Sequence, residues 1–237
     1  MEVSSRMFDV EYDLQEPSFD GRAIDTAFVE AMYDMSLGMF RGEIDEYIRI
    51  EEPDPEGTYV TGVDWAKEQD FTIMRTFRTD VNPWVEVAFL RTGRKPWPAM
   101  VADLDRVLDE YGGLCAHDAT GIGNVVDDLI KTERHRVRPI VLRGRDRETT
   151  FTEYIAGIEQ DALRCPRIEY AYNEHKYVTQ ADLYGSGHPP DTFIAGALAW
   201  SLRRRAYKIN VRPGSLTRTN SPWQLGDTGG HISSRTQ

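Results

Sequence analysis

The 237-residue chain has two cysteines, Cys115 and Cys165, and their separation fits neither a metal-ligand nor a redox spacing. A chain this long buries a core without a disulfide, so none is expected. No apolar run approaches the roughly 20 residues that span a bilayer, and no membrane partner is expected. The opening MEVSSRMFDVEYD lacks a basic stretch followed by an apolar one, so it reads as no signal peptide and the protein as intracellular. GxxxxGK[ST] is missing from the sequence. The Gly121-x-Gly123 pair lacks a third glycine, because position 126 is valine. A P-loop and a dinucleotide fingerprint are both excluded.

Acids are in excess, but not everywhere. The chain has 39 acids against 28 bases, a net charge of −11, which taken whole argues against a polyanion partner. Residues 1–57 hold 16 of the acids and 4 arginines, and the remaining 23 acids and 24 bases nearly cancel. Two basic runs stand on that near-neutral body, KTERHRVRPIVLRGRDR at 131–147 and RRRAYK at 203–208. From Ser201 to Gln237 seven bases face the single acid Asp227. A solvated face or a loose tail explains either run alone; the two together favour phosphate contact. Arg143, Arg145, Arg147, Arg203, Arg204 and Arg205 are the candidates.

Hydropathy divides the chain in three. Residues 1–57 read as an acidic linker segment with one helix, where Ile24, Phe28, Met32 and Met35 fall at helical spacing; EEPDPEG closes it. Residues 58–208 read as the folded domain. TYVTGVDWA, FTIMRTFRTD and PWVEVAFLRTG are strands joined by short turns, an antiparallel meander. KPWPAMVADLDRVLDEYGG is a helix, with Pro98 near its start and Gly112-Gly113 at its end. LCAHDAT is a short buried strand, GIGNVVDDLIKTE opens a helix, and VRPIVL is a fifth strand. In the helix TFTEYIAGIEQDALR, Thr150 and Glu153 have capping-box spacing. NEHKYVTQADLYG reads as one helix, and HPPDTFIAGALAWSLRRR as a helix opened by two prolines. Residues 209–237 read as a disordered basic tail. This order implies an α/β fold, a mixed five-stranded sheet with helices on both faces.

Three carboxylates stand out by position. Asp64 lies in the first strand between Val63 and Trp65, where an acid contributes nothing structural. Asp118 closes the fourth strand before a glycine turn, and Asp191 opens the last long helix. In this order of elements the first and fourth strands are expected to be parallel neighbours, which brings Asp64 and Asp118 to one sheet edge. The last helix packs across the sheet on Ala195, Gly196, Ala197 and Ala199, and its first turn brings Asp191 to the same place. Acids gathered in this way repel unless cations lie among them, and Mg²⁺ or Mn²⁺ with oxygen ligands answers that need. Two such ions about 3.5–4 Å apart activate a water and stabilise the leaving oxygen of a phosphodiester. Structural readings stand beside this one: Asp191 as a charge at a helix N-terminus, Asp118 as a turn former. Asp70 is a weaker metal candidate or an ordinary turn acid. His117 and His188 each neighbour a candidate ligand, and Glu159 is at most a remote supporting group.

Taken together, GVDWAKEQDFTIM, HDATGIGNVVDDLI and HPPDTFIAGALAW resemble the three motifs of the nuclease domain of the phage terminase large subunit. YDLQEPSFDGRAIDTAFVEAMYD and MFRGEIDEYI resemble the stretch that joins that family's ATPase to its nuclease. The resemblance implies a ribonuclease H-like fold and an endonuclease that cuts concatemeric double-stranded viral DNA. It implies that Asp64, Asp118 and Asp191 ligate two Mg²⁺ or Mn²⁺ ions. One ion would carry the attacking water and the other would stabilise the departing 3′ oxygen. The partners it implies are a terminase ATPase domain or subunit, a small terminase subunit and the procapsid portal, in the host-cell cytoplasm. Two departures stand against it. Pro190 occupies a place where the family often carries a second acid, and residues further along that helix are apolar or small. The ATPase P-loop is missing, so the chain is expected to be a C-terminal part or a separately encoded nuclease subunit. Two other readings keep the fold: a junction resolvase or transposase-like nuclease, and a non-catalytic docking module of the packaging motor.

Overall fold

A computed structural model of the chain describes residues 21–66, 71–133 and 136–206. Its strands are β1 (Met39–Phe40), β2 (Glu46–Arg49), β3 (Tyr59–Asp64), β4 (Thr72–Arg78), β5 (Trp84–Thr92), β6 (Leu114–Asp118), β7 (Val137–Ile140), β8 (Leu163–Arg164) and β9 (Arg167–Ile168). The main sheet runs in the order β2-β5-β4-β3-β6-β7, and β1 pairs separately with β9. The meander β3–β4–β5 is antiparallel, as its short turns require, and β6 and β7 add in parallel beyond β3.

The sheet is wider than the five strands expected. β2 pairs antiparallel with β5, and β8 pairs parallel with the start of the same strand. They are four and two residues long, too short for alternation to mark them. β2 comes from within residues 1–57, and Ile24, Val29, Met32 and Ile48 of that segment lie buried in the main core. Arg78 also pairs with Glu51 at 2.6 Å and Asp54 at 2.8 Å, fastening the acidic stretch before β3 to β4. The described part of the segment is therefore packed on the body. Residues 1–20 and the tail assigned to 209–237 lie outside the described residues.

Helices cover both faces. Under α2 (Trp97–Tyr111) and α3 (Val125–Leu129), Met100, Leu104, Val107 and Leu108 pack on Val63, Met74 and Leu90. The opposite face is covered by α1 (Thr26–Met32), α4 (Gly144–Glu159), α5 (Glu169–Tyr177), α6 (Gln180–Tyr184) and α7 (Asp191–Ser201), with α8 (Arg203–Ala206) following α7. α7 is buried on every side from Asp191 to Ala199, which explains its run of apolar and small residues. It lies directly on β3. A Cβ at Gly62 would stand 1.9 Å from the carbonyl oxygen of Ala195 and 2.6 Å from the nitrogen of Ala199, so this strand position accepts only glycine.

Three helix boundaries correct the pattern reading. Thr150 lies inside α4, which begins at Gly144, so Thr150 and Glu153 form no capping box. The capping box is instead on Thr179 and Asp182 at the start of α6. That cap divides NEHKYVTQADLYG into two helices, with Val178 and Thr179 between them at ψ 134° and 161°. GIGNVVDDLIKTE yields only the five-residue α3, because its glycines are spent in the turn that precedes it.

Candidate active site

The ladder between β3 and β6 places Val60 opposite Leu114, Gly62 opposite Ala116 and Val63 opposite His117. One step further sets Asp64 beside Asp118, each the last residue of its strand, on chains spaced about 4.8 Å apart. Alternation decides which way they face. Val60, Leu114 and Ala116 belong to the core under α7, and Val63 and Cys115 to the core under α2. Asp64 and Asp118 follow the first set and face α7. Both are 4% exposed.

Asp118 also does what its structural reading requires. Its Oδ1 accepts from the Thr120 N–H at 2.8 Å, a turn that starts the loop to α3. Thr120 Oγ1 accepts from the Leu142 N–H, and the Ala119 N–H donates to the Ile140 carbonyl, which stitches the loops after β6 and β7 together.

Asp191 is the first residue of α7 and is 7% exposed. Its Oδ2 accepts from the Phe71 N–H at 3.1 Å. Phe71 immediately precedes β4, where Ile73 lies opposite Asp64, so Asp191 sits at the same end of the sheet beside the β3–β4 hairpin. Asp70 adjoins Phe71 in the chain and lies outside the described residues. Among the described residues, no three His, Cys, Asp or Glu side chains are arranged to hold one metal ion. The fold thus pairs Asp64 with Asp118 and fastens Asp191 to the neighbouring hairpin, without closing the three into one ligand set. Two hard carboxylates side by side at a sheet edge are a donor set that fits Mg²⁺ or Mn²⁺.

The candidate histidines do not join them. His117 alternates to the α2 face, where its Nδ1 accepts from Trp65 Nε1–H at 3.1 Å and burial lowers its pKa. His188 is exposed in the loop before α7. Glu159 is exposed at the C-terminal end of α4, about 22 Å along the helix from the end near β7.

Several groups that hold this edge were not singled out from the sequence. Glu174 of α5 is buried, its Oε2 accepts from the Thr192 N–H at 3.0 Å, and burial raises its pKa. Arg75 is fully buried, paired with Glu86 at 2.7 Å, and its Nη1 donates to the Thr192 carbonyl at 3.2 Å. The Arg91 guanidinium lies 4.0 Å from the Phe71 ring centre and 3.5 Å from that of Tyr170, and its Nη1 donates to the Gly42 carbonyl. A signal for Arg75 was present: alternation in FTIMRTFR sets it with Ile73 and Phe77 on the inner face, where a charge demands a partner. Glu174 had none, because NEHKY is polar on every side.

The basic candidates fall at opposite ends. Asp118 pairs in register with Ile140, the last residue of β7, and α4 starts four residues later, so Arg143 and Arg145 emerge exposed at the carboxylate end. Arg147 is half-buried and donates to the Asp182 carbonyl. Arg203 and Arg204 both pair with Glu153, at 2.8 and 3.3 Å. They follow Trp200, which packs on Trp84 at the start of β5, so they and the exposed Arg205 lie at the far end of the sheet.

No protein-family model and no curated protein matches the sequence. Solved structures do. The mixed sheet with helices on both faces is a ribonuclease H-like fold, and more particularly it is the fold of phage large-terminase nuclease domains. The large terminase nuclease from thermophilic phage G20c, solved with bound magnesium, is 19% identical over 78% of this chain and 98% of its own, with a TM-score of 0.62. The Thermus phage P74-26 large terminase nuclease domain is 18% identical over 75% and 94%, with a TM-score of 0.56. The HK97 bacteriophage large terminase is 12% identical over 83% of this chain and 48% of its own, with a TM-score of 0.52. Among the described residues no helix is long and apolar enough to cross a membrane.

Proposed function

We propose that this chain is the divalent-metal-dependent endonuclease domain of a viral packaging terminase large subunit, cutting concatemeric double-stranded DNA by phosphodiester hydrolysis. The observation that carries the reading is the pairing of Asp64 and Asp118 at adjacent parallel strand ends, facing α7, in a fold shared with a terminase nuclease solved with magnesium. Asp64, Asp118 and Asp191 would hold two Mg²⁺ or Mn²⁺ ions, with Asp70 a further ligand. Bound there, the cations supply the charge that activates an attacking water and stabilises the leaving 3′ oxygen. The chain supplies placement. Asp64 and Asp118 stand on a hydrogen-bonded ladder, Asp118 is oriented by Thr120, and Asp191 is oriented by Phe71. Arg143 and Arg145 contact DNA phosphates at the same end, positioning the duplex without reading its bases. Choice of the cutting site then falls to a partner, a small terminase subunit. A terminase ATPase domain or subunit and the procapsid portal complete the motor, in the host cytoplasm.

The test is supercoiled plasmid incubated with wild type and Asp64→Ala, in Mg²⁺, Mn²⁺ and EDTA. Wild type is expected to nick in either metal and not in EDTA, and Asp64→Ala not at all. Equal nicking by both proteins contradicts the proposal. Preference for branched over linear DNA points to a resolvase, and binding of ATPase or portal without nicking points to a docking module.

A further inference from the structure

We infer that Glu174 and Arg75 are positioning residues for Asp191, gripping the two peptide groups of its neighbour Thr192 and so setting the first turn of α7. The inference rests on the proposed role of Asp191 as a metal ligand. An α-helix leaves its first N–H groups without intrahelical partners, and a side-chain oxygen at the N-cap commonly accepts from one of them. The N-cap of α7 is Pro190, which makes no side-chain cap hydrogen bond. The acceptor comes from another helix, where Glu174 Oε2 meets the Thr192 N–H at 3.0 Å. On the other side of the same residue, Arg75 Nη1 donates to the Thr192 carbonyl at 3.2 Å. Both charged side chains are buried, and Thr192 adjoins Asp191.

Arg75 is itself aimed by three features. Its Nε and Nη2 donate to the two oxygens of Glu86, at 2.7 and 2.9 Å. Glu86 reaches this face because the β4–β5 register slips: Thr76 lies opposite Ala88 but Phe77 opposite Glu86, which leaves Val87 as a bulge. Without that extra residue, Glu86 would turn toward α2. The guanidinium also needs room against α7, and Gly196 leaves it, since a Cβ there would stand 2.9 Å from Arg75 Nη1 and 2.3 Å from the Tyr154 hydroxyl.

Stability alone is a poor reason for this construction. A buried ion pair seldom outperforms apolar residues of similar volume, and a glycine within a helix is destabilising relative to alanine. A bulge, a helix glycine and a cap borrowed from another helix all converge on the residue beside Asp191. That convergence points to placement of its carboxylate.

Mn²⁺ binding to the full chain by calorimetry, with plasmid nicking and thermal melting beside it, tests the inference. Glu174→Leu is expected to weaken Mn²⁺ binding roughly 10–100-fold and to lower kcat with KM for DNA unchanged. Glu174→Gln keeps an acceptor at the same reach and is expected to restore most of both. Glu174→Asp, drawn back by one methylene, falls between and decides the matter should the leucine variant not fold. A folded Leu or Asp variant with wild-type Mn²⁺ affinity and kcat, altered only in melting temperature, overturns the inference; so does a Gln variant no better than Leu. Failure of the underlying reading looks different: Asp191→Asn then binds Mn²⁺ as wild type does, and both ideas fall.

Discussion

Asp64 and Asp118 are the terminal residues of parallel neighbours β3 and β6, one step beyond the pair Val63 and His117, and both turn toward α7. Their proximity is a property of the backbone ladder, not of side-chain rotamers. The contacts that set the ladder and the helix above it should therefore govern the site as well as the fold.

Gly62 is the tightest of these contacts. Its replacement by alanine drives a Cβ into the Ala195 carbonyl, and α7 has to lift from β3. Overpacking of this kind costs about 2 kcal/mol or more, a fall in melting temperature of roughly 4–8 °C for a chain of this size. Scanning calorimetry on Gly62→Ala checks it, and an unchanged melting temperature would mean that the helix is not seated on the strand.

The Arg75–Glu86 pair should behave as a buried ion pair does. Both side chains are fully buried, so Glu86→Ala strands a guanidinium and is expected to cost about 3–5 kcal/mol in denaturant titration. The double variant Arg75→Met, Glu86→Leu removes both charges and is expected to recover most of that loss. A double variant as unstable as the single one contradicts the pairing.

Stability should fall in acid through His175. Its ring lies among Tyr33, Tyr154 and Phe193, and burial first, then the charge of Arg75, holds its pKa well below the ordinary histidine value. The folded protein keeps it neutral, while the unfolded chain takes up a proton below about pH 6.5. The stability is fully present above that pH and is lost as pH falls, with a limiting slope of about 1.4 kcal/mol per pH unit for one proton. Burial shifts His117 in the same direction. Melting temperatures from pH 7.5 to 5.5 should decline in wild type and decline less in His175→Gln.

DNA affinity should respond unequally to the two arginine groups. Arg143 and Arg145 are exposed at the carboxylate end, whereas Arg203 and Arg204 share Glu153 at the other. Removing one arginine from a DNA phosphate reduces the slope of log affinity against log salt by about 0.9. Arg143→Ala and Arg145→Ala are each expected to show that change in a filter-binding series, and Arg204→Ala to show little. The reverse ranking would move the DNA track to the far end of the sheet.

What could be read from the sequence was local, and what could not was tertiary. Short turns between TYVTGVDWA, FTIMRTFRTD and PWVEVAFLRTG marked the meander, an acid between Val63 and Trp65 marked Asp64, and an acid before a glycine turn marked Asp118; that β3 ends at Asp64 came only from the structure. β2 and β8 escaped because Glu46–Arg49 and Leu163–Arg164 owe their pairing to the exposed edge of β5, not to a pattern of their own. The supposed cap at Thr150 failed because RGRDRET, with no apolar stripe, is helical anyway, while Thr179 caps a helix that periodicity had merged with its neighbour. Glu174 became meaningful only once α5 was placed against Thr192, and Glu86 only once the bulge at Val87 had turned it inward.

Whether Asp64 and Asp118 share a cation can be seen by soaking manganese into crystals of the protein and locating it by anomalous scattering. An ion held by carboxylate oxygens of both Asp64 and Asp118 at about 2.1 Å is expected, and it should be lost in Asp118→Asn crystals. Manganese bound elsewhere, or bound at this edge equally well in the Asp118→Asn protein, would contradict that expectation.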